Sequence, residues 1–147
     1  MNKDIIVADA TLAVKLLYAE ADSDQAKAFF AHCNAKPTKV FVPDHFVYEV
    51  INVARRVGVD VGKAFDLFAA MKGNFLSVVT PSRELWMSAQ DIANDGHPKS
   101  GFPSIYDSIY HALAIDLGGI FVTADKRHMA KFSQHRHICL LKDWSRA

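Results

Sequence analysis

Only two cysteines, Cys33 and Cys139, occur in 147 residues, and they lie far apart. That leaves no basis for a disulfide framework and points to a reducing, cytoplasmic setting. No stretch of roughly 18 uninterrupted apolar residues exists that could span a bilayer. The opening Met-Asn-Lys-Asp-Ile-Ile-Val-Ala-Asp lacks the apolar run of a signal peptide, so no membrane association is expected. An excess of one charge is missing too. Seventeen Lys and Arg against sixteen Asp and Glu leave a formal net charge of +1. No global field therefore draws in nucleic acid, and any such binding must come from a local patch. There are no repeats and no low-complexity tracts. What is present is the apolar half of an ordinary globular composition, in a length suited to one domain over residues 1–147. A chain this long buries roughly two-thirds of its unfolded surface and needs no covalent staples.

Short β-branched runs alternate with longer helical periods. Strands are expected at 5–8, 40–42, 75–79, 120–123 and 138–141. A helix is expected over 11–17. A second follows an Asp22/Gln25 capping box and carries Ala26, Phe29, Phe30 and Cys33 at helical spacing, with Pro37 as its break. Pro43-Asp44 leads into a helix whose apolar stripe is Val47, Val50, Ile51, Ala54 and Val57, stopped by Gly58. Val61, Ala64, Phe65 and Phe68 form the face of the next. Thr80-Pro81 reads as a helix start with proline at the first helical position, running to about residue 94. Residues 95–103 are a loop by composition. Ser104 opens a helix that Gly118-Gly119 ends. Strands interleaved with helices argue for an α/β fold around a mainly parallel sheet. Ligands of such sheets bind beyond the carboxyl ends of strands, where strand order reverses.

Four acids fall near that edge. Asp9 directly follows the first strand and Asp125 shortly follows the fourth. Asp107 sits in the first turn after Ser104, and Glu49 in the helix after the second strand. Each has an ordinary explanation. Asp9 can cap the following helix, Asp107 fits a capping-box position, Asp125 suits a turn, and Glu49 shares a polar stripe with His45, Asn52 and Arg56. The case for chemistry rests on their joint placement. Two carboxylates about 4 Å apart repel by about 4 kcal/mol at an effective dielectric of 20. Converging acids therefore raise their pKa values or recruit a cation. An oxygen-only ligand set favours a hard ion such as Mg²⁺ or Mn²⁺, which suits phosphate chemistry.

The segments around these acids resemble PIN domains. Ile-Val-Ala-Asp9-Ala-Thr11 resembles the family's opening motif, and Val42-Pro43 through Glu49 to Asn52 its second. Tyr106-Asp107-Ser-Ile-Tyr110-His-Ala-Leu113-Ala114 resembles the third, and Gly119-Ile-Phe-Val-Thr123-Ala-Asp125 the fourth. At this length the chain is most similar to VapC-type toxins. The resemblance implies a three-layer α/β/α fold with a five-stranded sheet of order 3-2-1-4-5. It also implies Mg²⁺- or Mn²⁺-dependent RNA cleavage, a homodimer, and a VapB-type antitoxin as partner. By motif, Asp9, Glu49, Asp107 and Asp125 become the catalytic and metal-site acids, with Thr11 and Thr123 supporting them. The alternative is a non-catalytic PIN-like module that binds RNA or protein, whose mark would be a lost acid; all four are present. Receiver and haloacid-type phosphatase domains fit poorly, since no Asp follows the third strand and Asp9 is followed by Ala10-Thr11 rather than x-Asp.

Lys126, Arg127 and Lys131, with His128 among them and Arg136 beyond, form a basic run beside Asp125 that suits an RNA backbone. Its ordinary explanation is a solvated helix. Lys36, Lys39, Arg55 and Arg56 are weaker candidates, the arginines belonging to a helix end. His135, His137 and Cys139 alternate along an expected strand, but no fourth zinc ligand stands at the usual spacing. His111 is expected at the surface. Tyr110, Phe29, Phe30 and Phe68 are expected in the core, and Trp86 and Trp144 carry no readable role.

Overall fold

Val, Ile and Leu runs that cannot satisfy their backbone alone pair here into one sheet, in a computed structural model that describes residues 2–35, 38–132 and 136–144. In chain order the elements are β1 (Ile5–Ala8), α1 (Ala10–Val14), α2 (Ser23–Ala35), β2 (Lys39–Pro43), α3 (Phe46–Arg56), α4 (Val61–Asn74) and β3 (Leu76–Val79). Then come α5 (Arg83–Asn94), α6 (Ile105–Leu117), β4 (Ile120–Thr123), α7 (Lys126–Lys131), β5 (Ile138–Leu140) and α8 (Leu141–Trp144). The sheet order is β3-β2-β1-β4-β5, and all four pairings are parallel. Helices flank it in the expected α/β/α arrangement. Helix α6 lies on β1, β2 and β4, with α5 packed on α6, while α1 packs on α3 and α3 on α4.

β1 is the middle strand, with Ile6 opposite Val40 on one side and Ile120 on the other. Strand order reverses between β1 and β4, so the crevice lies beyond Ala8 and Thr123. Ile6, Val7, Ala8 and all of β4 are buried, and each large aliphatic side chain among them is worth about 1.5–3 kcal/mol of burial. The ladder extends one residue past β1, where Asp9 N–H donates to the Val122 carbonyl (3.1 Å). That bond fixes the first acid at the mouth of the crevice. The α6–β4 joint relies on two glycines. Gly118 takes φ +69° as the helix cap. Gly119 runs so close to β1 that a Cβ would lie 2.3 Å from the Ile5 carbonyl oxygen.

Several local expectations are corrected. The first helix stops at Val14 rather than residue 17, because Leu16 and Leu17 N–H bond back only three residues, to Ala13 and Val14. The Asp22 carboxylate does not build a capping box; it pairs with Lys15 Nζ (3.0 Å), which also holds Glu20. Ser82, not Pro81, starts α5, since its hydroxyl accepts from Leu85 N–H (3.1 Å) and caps the helix two residues later. Phe75 closes α4 instead of opening β3, and Leu141 begins α8 instead of ending β5. Val57, Val61 and Phe65 are exposed, although they repeat at helical spacing. Trp144 gains a role, meeting Phe29 (5.0 Å) and His32 (4.8 Å) edge to face and so holding α8 on α2. Both cysteines are free, and burial pushes the Cys33 thiol up to about 12. Lys36, Pro37 and His135 lie outside the described residues.

Candidate active site

Four elements deliver the acids. Asp9 caps α1, its Oδ1 accepting from Thr11 N–H (3.2 Å). Asp125 caps α7, its Oδ1 accepting from the N–H groups of Arg127 (2.9 Å) and His128 (3.2 Å). Asp107 lies in the first turn of α6, where Ser104 Oγ accepts from its N–H (3.1 Å) and donates to its Oδ2 (2.8 Å). Glu49 projects from the first turn of α3. The ordinary explanations of Asp9 as a cap and of Asp107 as the first-turn partner of Ser104 thus hold, and Asp125, expected in a turn, caps α7. They do not compete with a joint role, because each cap uses only part of a carboxylate.

One hydroxyl joins the two strand ends. Thr123, wholly buried at the end of β4, donates to Asp9 Oδ2 (2.7 Å) and accepts from Asp125 N–H (3.2 Å). Asp9 is only 6% exposed, and burial raises its pKa above the aspartate value of 3.8. The Thr123 and Thr11 hydrogen bonds and the charge of His128 pull it back, while Glu49 pushes it further up.

His128 is the cation among the acids. Its Nε2 pairs with Asp107 Oδ2, and its Nδ1 stands 3.6 Å from Asp125 Oδ2. Burial alone would lower the His128 pKa, but the Asp107 contact, with the charges of Asp9 and Asp125, raises it above 6.5. The converse holds for Asp107. Burial pushes its carboxyl up, yet His128, Ser104 and Lys131 more than offset this and leave it below 3.8. On the far side, His45 Nε2 faces both Glu49 Oε1 (2.6 Å) and the Tyr106 carbonyl (3.1 Å). The buried Tyr110 phenol is raised well above 10, by burial first and then by the charges of Glu49, Asp9 and Asp107. Tyr110 thus feels three of the acids and His128 three, with Asp9 and Asp107 common to both.

The remaining candidates separate. Lys126 and Arg127 line a cleft of about 430 Å³ with Thr11 and Asp125, and so does Arg56, which sequence reasoning placed at a solvated helix end. Lys15 contributes a further cation, held by Glu20 and Asp22. Lys131 instead stands near Asp107. Lys39 begins β2, at the opposite end of the sheet from the crevice. His111 is buried rather than exposed, its Nε2 bonded to the Arg136 carbonyl (2.6 Å) and its ring edge-on to Phe132. His137 precedes β5, takes φ +61° and turns Nδ1 to the Gly119 carbonyl (2.7 Å), which breaks the alternation behind a zinc site with Cys139. Sequence reasoning assigned His128 only to the basic run. Its signal was the Asp125-x-x-His128 spacing, which on a short helix returns the ring to its own cap.

The residues fit a hard cation in donor chemistry. All four acids offer oxygen alone. The Thr11 hydroxyl, buried beside Asp9, finds no hydrogen-bond partner among the described residues. Among those residues no three acid, histidine or cysteine groups already stand in coordinating range of one point, and His128 supplies the positive charge at Asp107.

A family model described as PIN domain matches residues 6–134. No curated protein matches the chain. Among solved structures, one match is VapC20 of Mycobacterium tuberculosis, described as a sarcin–ricin loop cleaving toxin. It is 19% identical, with a TM-score of 0.61 over 77% of this chain and 83% of that one. Another is PAE2754 of Pyrobaculum aerophilum, 16% identical, with a TM-score of 0.64 over 96% of this chain and 93% of that one. At these identities the likeness is one of fold. Among the described residues no helix is long and apolar enough to cross a membrane.

Proposed function

The chain belongs to the PIN domain family, and from that premise we propose that it is a metal-dependent endoribonuclease acting through Asp9, Glu49, Asp107 and Asp125. The observation that supports this reading is geometric: His128 pairs with Asp107 and stands 3.6 Å from Asp125, Thr123 joins Asp9 to Asp125, and Glu49 lines one open groove with Asp107, beside the point where strand order reverses. These carboxylates would hold Mg²⁺ or Mn²⁺. A cation bound there acidifies a water and offsets charge on the phosphoryl oxygens. The chain's own groups do the rest. Thr123 orients Asp9 and ties it to the Asp125 loop. Ser104 fixes Asp107, and Arg56, Lys126 and Arg127 grip flanking phosphates in the adjoining cleft. His128 pairs with Asp107 and would have to give up that contact for Asp107 to help hold a cation.

Its likeness in fold to VapC20 supports a finer reading: the toxin of a type II toxin–antitoxin pair, a homodimer, bound by a VapB-type antitoxin. The second reading, a non-catalytic RNA- or protein-binding module, draws on the His128–Asp107 pairing, which satisfies the acid without metal. Cleavage of a mixed RNA pool in Mg²⁺ or Mn²⁺ and in EDTA separates the two. Metal-dependent cleavage that Asp9→Asn or Asp107→Asn abolishes is the expected result. RNA binding without cleavage in any metal would establish the second reading instead.

A further inference from the structure

The sequence places Tyr110 in the core, and its ring is there. It is 1% exposed, stacks on Phe121 of β4 at 5.4 Å and lies edge-on to His45 at 5.2 Å. Phenylalanine would fill the same space without burying a polar atom. A buried hydroxyl without a partner costs free energy comparable to a lost hydrogen bond. Yet the Tyr110 hydroxyl completes no hydrogen bond of ordinary geometry among the described residues. It stands three residues after Asp107 on α6, so the two share a helix face. Glu49 acts on the phenol both as a charge and as a hydrogen-bond neighbour, while Asp9 and Asp107 act as charges. The proposed mechanism leaves this hydroxyl unused.

We propose that Tyr110 is a positioning residue of the acid site, its hydroxyl kept beside Glu49 so that this carboxylate presents an oxygen to a divalent cation. The inference rests on the metal-dependent reading and adds a residue to it. Three observations carry it. First, the phenol is braced. Phe121 covers one face of the ring and His45 meets it edge to face, so the hydroxyl keeps little freedom beyond rotation of its hydrogen. Second, Glu49 is the acid that lacks an orienting bond. Asp9 is held by Thr11 N–H and Thr123, Asp107 by Ser104, and Asp125 by the N–H groups of Arg127 and His128. Glu49 has only His45 Nε2 at 2.6 Å from Oε1, and that buried oxygen completes no hydrogen bond of ordinary geometry among the described residues. A donor and an acceptor, both unsatisfied, are thus neighbours in one buried place. Third, the phenol remains a donor. Burial first, and then the nearby carboxylates, hold it protonated, so it offers a hydrogen where a further acid would only repel. An unsatisfied buried polar group of this kind calls for a functional explanation.

The test compares the intact wild-type protein with Tyr110→Phe, which keeps the ring and removes the hydroxyl, in two measurements made without RNA. Melting in EDTA reads the metal-free fold, and calorimetric titration with Mn²⁺ reads the site. Because the hydroxyl completes no bond in the metal-free fold, Tyr110→Phe is expected to melt no lower than wild type. It is expected to bind Mn²⁺ about tenfold or more weakly, the usual loss when a group that orients a metal-binding side chain is removed. A hydroxyl that merely holds the core together gives the reverse pattern: a lower melting temperature with Mn²⁺ affinity unchanged. That result overturns the proposal. So does a variant that melts lower and binds weakly together, since its loss of affinity would follow from a damaged fold. Wild-type Mn²⁺ affinity in Tyr110→Phe defeats the role of the tyrosine alone. Absence of Mn²⁺ binding by the wild-type protein defeats the metal-dependent reading, and the role of the tyrosine with it.

Discussion

Replacing Thr123 by valine keeps the volume and β-branching of the side chain and deletes one hydroxyl. That hydroxyl is wholly buried, donates to Asp9 Oδ2 at 2.7 Å and accepts from Asp125 N–H at 3.2 Å. A hydrogen bond to an ionised group contributes about 1.5–3 kcal/mol, and no cavity term adds to it. For a chain of this size each kcal/mol corresponds to about 2–4 °C, so Thr123→Val should melt roughly 3–12 °C lower in EDTA at neutral pH. The pH dependence has a definite sign. Burial holds the Asp9 carboxyl above 3.8, so the folded chain keeps that proton to higher pH than the unfolded chain does. Stability from this group is therefore lost as pH rises from 3.8 through the folded value, and is level above it. Losing Thr123 raises the folded pKa further, so the variant's deficit is full above that pKa. Near pH 3.8 and below it shrinks towards the roughly 0.5–1.5 kcal/mol of a neutral hydrogen bond. Denaturant melts of wild type, Thr123→Val and Thr123→Ser at acid and neutral pH measure this, with serine expected to recover much of the loss. A valine variant as stable as wild type at neutral pH would refute the reasoning. So would a deficit that stays the same in acid.

His128→Gln removes the positive partner of Asp107. The His128 pKa is raised above 6.5, so its contribution is full below 6.5 and is lost as pH climbs through the folded value. Melts in EDTA should show a deficit of about 1 kcal/mol at acid-to-neutral pH that disappears well above neutrality, whereas a pH-independent deficit would mean lost packing on Phe132. Alanine at Arg56, Lys126 or Arg127 should weaken RNA binding and lower the slope of log affinity against log salt by about one for each cation removed; unchanged slopes would remove the phosphate role of that cleft. Gly119→Ala should destabilise far more than Gly118→Ala, read as loss of soluble, cooperatively melting protein. The added methyl at 119 meets the Ile5 backbone at 2.3 Å, whereas at 118 it costs only about 1 kcal/mol of left-handed strain.

The edge of the sheet that bears the acids was legible from pattern, whereas strand order came only through the resemblance to PIN domains. The β-branched runs of β1, β2 and β4 are short, lie between helical periods and end in Asp9, Pro43 and Thr123-Ala-Asp125, which fixes the chemistry to strand ends. What periodicity does not carry is the neighbour across the stripe. Val57, Val61 and Phe65 repeat as a core face does, yet they stay exposed among the described residues. Local capping chemistry decided other details, as when the Ser82 hydroxyl overrode Pro81 and Lys15 drew Asp22 away from its helix. His128 was hidden for a different reason. Within a basic run it reads as solvated charge, and only the short α7 turn directs its ring inward while Lys126 and Arg127 face the neighbouring cleft.

Direct titration of the protein with Mn²⁺, followed by calorimetry or by the loss of free-ion electron paramagnetic signal, tests the shared-cation site without reference to any RNA. Binding that Asp9→Asn, Glu49→Gln, Asp107→Asn and Asp125→Asn each weaken tenfold or more, and that Asp116→Asn on the far end of α6 leaves alone, is the expected result. Absence of Mn²⁺ binding, or binding indifferent to all four substitutions, would contradict it.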